Sequence, residues 1–229
     1  MCKQRRKIVW RLLVALLIFF LCVRCGEVWY EVVMTQRIDS PALILDAGHG
    51  GEDGGAVSLS GEKESVINLE ITLRLDQMLG LLGECPLMLR QEDVSLHNSS
   101  AVTLREKKVS DLKKRATIVN ANPTAVLVSI HQNSYSESKY QGAQTFYAST
   151  SGSRELADAV QCALRDLLQP QNTRQVKQIP KSVYLLNHVE NRAILIECGF
   201  LSNPEEEQLL QQTDYQKKLA MVLAPVLSA

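Results

Sequence analysis

Short apolar runs, separated by helical patterns, constrain the fold of this 229-residue chain more than any other feature. The runs cover residues 42–45, 125–130 and 193–196, and each has the composition of a strand that is buried on both faces. Between the first two runs, apolar residues such as Ile67 and Ile71 recur at three- and four-residue steps, which is typical of an amphipathic helix. This alternation predicts a single α/β domain with a central mixed, mostly parallel sheet flanked by helices.

Several further segments have patterns of their own. Residues 91–111 are polar and charged and are predicted to form a long loop, followed by a helix over 112–120. A second helix is expected over 153–168 with Ser153 as its N-cap. Residues 183–186 are expected to form a short strand.

The charge of the chain is unevenly distributed. Residues 1–40 contain seven Lys or Arg and three Asp or Glu, so the remainder has 18 basic and 22 acidic residues. A net charge of that sign argues against nucleic-acid binding, for which a basic surface supplies most of the affinity.

The amino-terminal segment explains the asymmetry. Five basic side chains within residues 3–11 precede an unbroken apolar run over 12–23, which is the pattern of an export signal. We interpret residues 1–23 as an uncleaved membrane anchor, with a cleaved signal peptide as the alternative. Residues 24–40 then form a linker, and residues 41–229 form a catalytic domain that lies outside the cytoplasm, membrane-anchored or secreted.

Residues with metal-binding or acid–base chemistry follow the apolar runs. His49, His131 and Glu197 come at or just after the predicted strand ends, and Glu64 lies at the start of the first long helix. In open α/β sheets, sites collect at the carboxyl ends of the strands. Two imidazoles and one carboxylate are the ligand set of hydrolytic zinc sites, with a position left for water and a second carboxylate to transfer protons.

Each of these residues also has an interpretation without a metal. His131 alone would be a hydrogen-bonded core histidine, and Glu64 alone would be a first-turn carboxylate that complements the helix dipole. Glu197 is harder to explain in this way, because burying an unpaired carboxylate costs several kcal/mol. The glycines within 48–55 match neither a dinucleotide-binding loop nor a P-loop, and we expect them to let the backbone pass close to a metal and substrate.

Four motifs together resemble a known family. The segments LDAGHGG at 45–51, KE at 63–64, SIHQN at 129–133 and ECGFLSN at 197–203 are similar to those of the zinc-dependent N-acetylmuramoyl-L-alanine amidases (Amidase_3). The resemblance implies one Zn²⁺ on His49, Glu64 and His131, with Glu197 as the catalytic carboxylate. Asn133 and Arg115 are the candidate substrate-binding residues.

A closer resemblance is to the germination-specific amidases of endospore formers, the CwlD type, and it rests on residues 105–112 ahead of Arg115. It implies removal of peptides from muramic acid for cortex muramic-lactam formation, in the space between mother cell and forespore. It also implies a lipoprotein activator held on the same membrane. Gln132 and Arg192 depart from the family, which usually has a small residue and a proline at these positions.

Hydrolysis of the amide between N-acetylmuramic acid and L-alanine of peptidoglycan is therefore the primary functional hypothesis. The alternatives are a vegetative autolysin of the same chemistry, a zinc-free peptidoglycan-binding homologue, and a zinc carboxypeptidase acting on wall peptides. A carboxypeptidase needs a cation for the terminal carboxylate, for which Arg115 or Arg192 would serve.

The charged segment 91–111 is expected to gate the cleft or contact a partner, or else to be a solvated surface loop. Reversing the charges of Lys107 and Lys108 is predicted to leave zinc content and thermal stability nearly unchanged and to reduce cortex lactam formation.

Overall fold

The computed structural model of the chain describes Val14, Leu16, residues 18–24 and residues 41–229. The described positions before residue 25 are helical. Most of the predicted anchor over 1–23, and all but one residue of the predicted linker over 24–40, lie outside the described residues. Within the described part, the helices lack the combination of length and apolar character needed to cross a membrane. Residues 41–229 form one compact unit.

The compact unit contains six strands and six helices. The strands are β1 (Leu43–Ala47), β2 (Leu87–Met88), β3 (Val126–Asn133), β4 (Gln144–Tyr147), β5 (Lys177–Gln178) and β6 (Ala193–Phe200). The helices are α1 (Glu64–Leu81), α2 (Leu104–Asn120), α3 (Ser153–Leu167), α4 (Tyr184–Asn187), α5 (Pro204–Leu210) and α6 (Thr213–Leu227).

The strands form one mixed sheet in the order β2-β1-β3-β6-β4-β5. The first four run parallel, whereas β4 is antiparallel to β6 and β5 runs parallel to β4. The predicted α/β class with a mostly parallel sheet is therefore confirmed. Because β1, β3 and β6 are parallel neighbours, their carboxyl ends lie side by side at one edge of the sheet.

Helices cover both faces of the sheet. One apolar cluster packs α1, α3 and α6 against alternate strand residues such as Leu45, Ile130 and Ile196. A second cluster packs α2 and α4 against the other face, which presents Ile44 and Leu195. Since side chains alternate along a strand, His131 and Glu197 project to the same face as Leu195, the side of α2 and α4.

Helix α2 starts eight residues earlier than the sequence-based prediction, so the predicted loop over 91–111 is too long. A capping box explains the start: the Thr103 hydroxyl accepts the Glu106 backbone N–H, and the Glu106 carboxylate accepts the Thr103 backbone N–H. This pairing satisfies backbone donors that the first turn of a helix leaves free. The T-x-x-E signal was present in the sequence at 103–106.

Two smaller predictions are wrong. Gly152, in the left-handed conformation, is the N-cap of α3, and Ser153 is its first helical residue. The Ser153 hydroxyl instead accepts the backbone N–H of Ala193 at the start of β6. Residues 183–186 do not form a strand, because the Val183 N–H bonds to the Pro180 carbonyl and a single helical turn follows.

Candidate metal centre

Three potential metal ligands meet at the carboxyl edge of the sheet. His49 lies two residues beyond β1, His131 lies near the end of β3, and Glu64 is the first residue of α1. One ligand atom from each residue lies within 4.8 Å of the others. The Glu64 carboxylate stands between the two imidazoles, with Oε2 at 3.3 Å from His49 Nε2 and Oε1 at 3.0 Å from His131 Nδ1.

These separations suit a zinc ion. Zinc–ligand bonds of about 2.0–2.1 Å in a tetrahedron place neighbouring ligand atoms about 3.3 Å apart. The carboxylate–imidazole distances of 3.0 and 3.3 Å are close to that value. The donor types, two nitrogens and one carboxylate oxygen, are also those of hydrolytic zinc sites that leave a position for water. The residues therefore fit the metal that the sequence predicts.

Two glycines make room for the ligands. A Cβ atom at Gly48 would lie 2.2 Å from Cε1 and Nε2 of His131, so the imidazole packs directly on the glycine backbone. A Cβ atom at Gly55 would lie 2.5 Å from Glu64 Oε2 and 2.7 Å from His49 Cδ2. Gly55 also has a φ of 70°, which side chains disfavour. The glycine-rich segment thus brings the backbone against the ligands, as predicted.

Glu64 is held by donors from three elements. It accepts the backbone N–H of Ala56 at 2.9 Å, the backbone N–H of Gln132 at 3.2 Å and the Asn68 amide at 3.1 Å. Burial alone would raise the pKa of Glu64, but the hydrogen bonds from His131 and His49 hold that pKa well below its usual range. The carboxyl is therefore ionised, which is the state that binds a metal.

Gln132 supports this carboxylate indirectly. Its side chain is buried and donates to Asn68 Oδ1 at 3.2 Å, and Asn68 in turn donates to Glu64 Oε1 and to the Gly48 carbonyl. The sequence did not identify Asn68. Asn68 lies one helical turn after Glu64. Because residues four positions apart are neighbours on a helix, the predicted helix places these two side chains together.

His49 has an unusual backbone conformation. Its φ is 63°, a left-handed value that is uncommon outside glycine and that often occurs at functional sites. Its Nδ1 lies 3.0 Å from Asp53 Oδ2, which leaves Nε2 facing Glu64. Burial lowers the pKa of an imidazole, but hydrogen bonds to the Asp53 and Glu64 carboxylates raise the pKa of His49 to about 9.

Two buried arginines hold the loop that follows β1. Arg115 of α2 donates to the carboxylates of Asp46 and Asp111 and to the carbonyls of Ala47 and His49. Its side chain is 2% exposed, and its Nε and both Nη nitrogens are bonded. A substrate group would have to displace one of these contacts, so the geometry favours a structural role for Arg115, and its contact with substrate stays a prediction.

The second arginine, Arg90, donates to the carbonyls of Ala47, Gly48 and Ser65 at 2.7–3.0 Å. Burial lowers the pKa of its guanidinium to about 10, yet it remains charged at neutral pH. The sequence did not single out Arg90. No local pattern marks it, because its partners lie up to 43 residues away in the sequence.

Glu197 lies beside His131. The two residues are paired across β3 and β6, so their side chains project together from one face of the sheet. Beyond them the register shifts: Asn133 pairs with Phe200, which gives β6 one extra residue. Glu197 Oε2 has no hydrogen-bond partner among the residues that the structure describes. Burial raises the pKa of Glu197 to about 7, and the nearby Glu64 charge adds to this effect.

A cavity of about 260 Å³ opens in front of these groups. Its lining includes His49, His131 and Glu197 together with Leu112 and residues 182–186. Asn133, the other predicted substrate-binding residue, is partly buried at the end of β3, where its carbonyl accepts the Leu201 N–H at 2.8 Å. Its contact with substrate remains a prediction.

Residues 43–227 match the sequence pattern of the N-acetylmuramoyl-L-alanine amidase family, Amidase_3. The chain belongs to this family. Among its relatives, the germination-specific N-acetylmuramoyl-L-alanine amidase of Bacillus subtilis (strain 168) is 37% identical over 181 residues, which cover 78% of this chain and 74% of that protein.

Solved structures of family members are similar to this fold. The CwlD amidase of Clostridioides difficile, solved in complex with the GerS lipoprotein, is 39% identical with a TM-score of 0.77, and the match covers 81% of this chain and 95% of that one. An N-acetylmuramoyl-L-alanine amidase of Clostridium difficile 630 is 30% identical with a TM-score of 0.69, covering 82% and 95%. The resemblance found in the sequence motifs is thus confirmed.

Proposed function

We propose that this chain is a zinc-dependent hydrolase of the amide between N-acetylmuramic acid and L-alanine in peptidoglycan. The observation that carries the proposal is the convergence of His49, Glu64 and His131 beside Glu197, on a chain that belongs to the amidase family. In this proposal the first three residues hold one zinc ion, and Glu197 is the catalytic carboxylate.

The state of Glu197 suits proton transfer. In the zinc-free protein, burial raises the pKa of Glu197 to about 7, and a carboxyl group that titrates near neutral pH can accept and then donate a proton, as a general base and then a general acid must. Oε2, which lacks a described partner, is the atom available to take a proton from the attacking water and pass it to the departing amine. When bound, zinc would polarise the scissile carbonyl and lower the pKa of a water molecule.

The contacts of the two arginines argue against the carboxypeptidase alternative. Arg115 is fully engaged by the loop after β1 and by two carboxylates. Arg192 precedes β6 and donates to the Gly152 carbonyl at 2.8 Å. At about 3.3 Å per strand residue, it lies about 16 Å along the strand from Glu197. Neither is placed to bind the terminal carboxylate of a peptide that reaches the metal centre.

Fragment analysis by mass spectrometry tests the reaction. Peptidoglycan incubated with the zinc-loaded full chain is expected to release stem peptides that begin with L-alanine, and to leave glycan with free lactyl carboxylates. The same protein after zinc removal by a chelator is the control and should release neither. Peptides shortened at their carboxyl ends but still attached to glycan would support the carboxypeptidase and contradict the proposal.

The cellular setting is a second part of the proposal. One relative is named a germination-specific amidase, and another was solved in complex with a lipoprotein. Both support a role in spore-cortex maturation with a lipoprotein partner. Residues 1–23 would hold the enzyme on the outer side of a membrane. Sporulating cells that lack the chain should contain cortex without muramic lactam. Normal lactam levels would instead favour a vegetative autolysin.

A further inference from the structure

We propose that Asp53 and Lys108 are positioning residues for His49, and that Lys108 tunes zinc affinity from the surface of α2. The inference rests on the proposed zinc site. Its basis is a chain of contacts from solvent to the metal centre: Lys108 Nζ lies 3.2 Å from Asp53 Oδ2, and that oxygen lies 3.0 Å from His49 Nδ1.

His49 needs such support more than His131 does. His131 belongs to a strand whose backbone is fixed by ladders on both sides. His49 belongs to a turn with a left-handed φ, where the Arg115 guanidinium fixes only its carbonyl, at 2.7 Å. The Arg115 contact does not hold the imidazole, and with Nε2 directed to Glu64, Nδ1 is the ring nitrogen left to anchor it. The Asp53 carboxylate provides that anchor. Carboxylates that orient metal-bound histidines commonly change metal affinity 10–100-fold when they are removed.

Asp53 is itself held from two directions. Its backbone exchanges two hydrogen bonds with Gly50, at 2.9 and 3.2 Å, which close the turn that directly follows His49. Its side chain, 25% exposed, has Lys108 Nζ within 3.3 Å of both carboxylate oxygens. Without that ammonium group, water competes for the carboxylate, and the position of Oδ2 beside His49 is less well defined.

The neighbouring ion pair provides a matched control. Lys107 also extends from α2 to the same loop, but it pairs with Glu52, for which no contact with a metal ligand is found among the described residues. Both pairs are partly exposed, so each contributes little to folding stability. The prediction that reversing both charges leaves zinc content unchanged is therefore kept for Lys107 and revised for Lys108.

Zinc-binding measurements on the full chain separate the two roles. The zinc dissociation constant is determined by competition with a chelator, and the unfolding temperature is determined for the zinc-free protein. Lys108→Met should raise the dissociation constant about tenfold, the lower end of the range for outer contacts of a metal site. For Lys107→Met, the zinc dissociation constant should stay within about twofold of that of the unmodified chain. Lys108→Arg, which keeps the charge, should retain most of the zinc affinity. The unfolding temperatures of the two Met variants should agree.

Equal zinc affinities for Lys107→Met and Lys108→Met would overturn the inference. A double-mutant cycle gives a second test that does not depend on the size of the single effect. Asp53→Asn should weaken zinc binding, and adding Lys108→Met to it should weaken binding no further. A full Lys108 effect in the Asp53→Asn background would mean that Lys108 acts elsewhere. Failure of the unmodified chain to bind zinc would refute the proposed function itself, and is seen before any variant is compared.

Discussion

The loop after β1 and the strand β3 each supply one imidazole to the metal centre, and they do so by different means. On β3, His131 is a strand residue paired with Glu197 of β6, and the ladder to β1 ends at the preceding residue, Ile130, so backbone pairing fixes its position. In the loop, His49 adopts a left-handed backbone, and side chains from α2 and from the loop itself fix its position. One ligand therefore depends on regular secondary structure and the other on a polar network.

The difference determines how each ligand tolerates change. A strand position is supported by many hydrogen bonds, each with a small share of the stabilisation. The loop relies on a few buried charges, above all the guanidinium of Arg115, and removal of one leaves others unpaired. We expect the loop to be the more fragile half of the site, and the following variants test that expectation.

Removal of either imidazole should have the largest effect. His49→Ala and His131→Ala each remove one of three protein ligands, so each should lose most of the zinc. Zinc content after dialysis, measured by inductively coupled plasma mass spectrometry, checks this expectation. Full zinc occupancy in both variants would eliminate the site as described.

A pair of glycine variants separates steric conflict at the ligands from backbone strain. Gly55→Ala and Gly61→Ala both place a side chain at positive φ, 70° and 94°, and each costs about 1–2 kcal/mol in strain. Only the new methyl at position 55 meets ligand atoms, whereas nothing lies within 4 Å of the one at position 61. We expect Gly55→Ala to lose zinc and Gly61→Ala to keep it. Equal zinc contents would show that the close packing of Gly55 is unimportant.

Stability of the zinc-free protein compares the two regions directly. Arg115→Met should lower the free energy of unfolding by about 3–5 kcal/mol, because it leaves buried carboxylates without their counter-charge. On β3, Ser129→Ala removes one 2.6 Å hydrogen bond to the same Asp46 carboxylate but leaves its pairing with Arg115 in place, and should cost about 1.5–3 kcal/mol. Urea titration gives both values. A larger loss for Ser129→Ala would reverse the ranking of the two regions.

The sequence predicted one of these regions better than the other, for the same physical reason. Apolar runs and their polar ends are local patterns, so β3, β6 and the positions of His131 and Glu197 followed from them. The contacts of the loop join residues far apart, such as Arg115 and His49, which are 66 positions apart, and no local pattern encodes them. The early start of α2 could have been predicted from the sequence, because the capping box at 103–106 is a local pattern.

The same distinction applies to the two lysines at the start of α2. Lys107 and Lys108 are adjacent and have the same charge, so no sequence pattern distinguishes their roles. Helical geometry directs successive side chains about 100° apart, and only Lys108 reaches the carboxylate that contacts a metal ligand. The tertiary structure therefore determines which carboxylate each lysine pairs with.

The central claim is that three residues bind the metal while a fourth performs acid–base catalysis, and paired glutamine variants test it most directly. Zinc content and amide hydrolysis are measured side by side for Glu197→Gln and Glu64→Gln. Glu197→Gln should keep its zinc and lose activity by about 10²–10⁴-fold, as expected when an acid–base group is removed. Glu64→Gln should lose zinc. Normal turnover by Glu197→Gln, together with retained zinc in Glu64→Gln, would contradict the assignment of both roles.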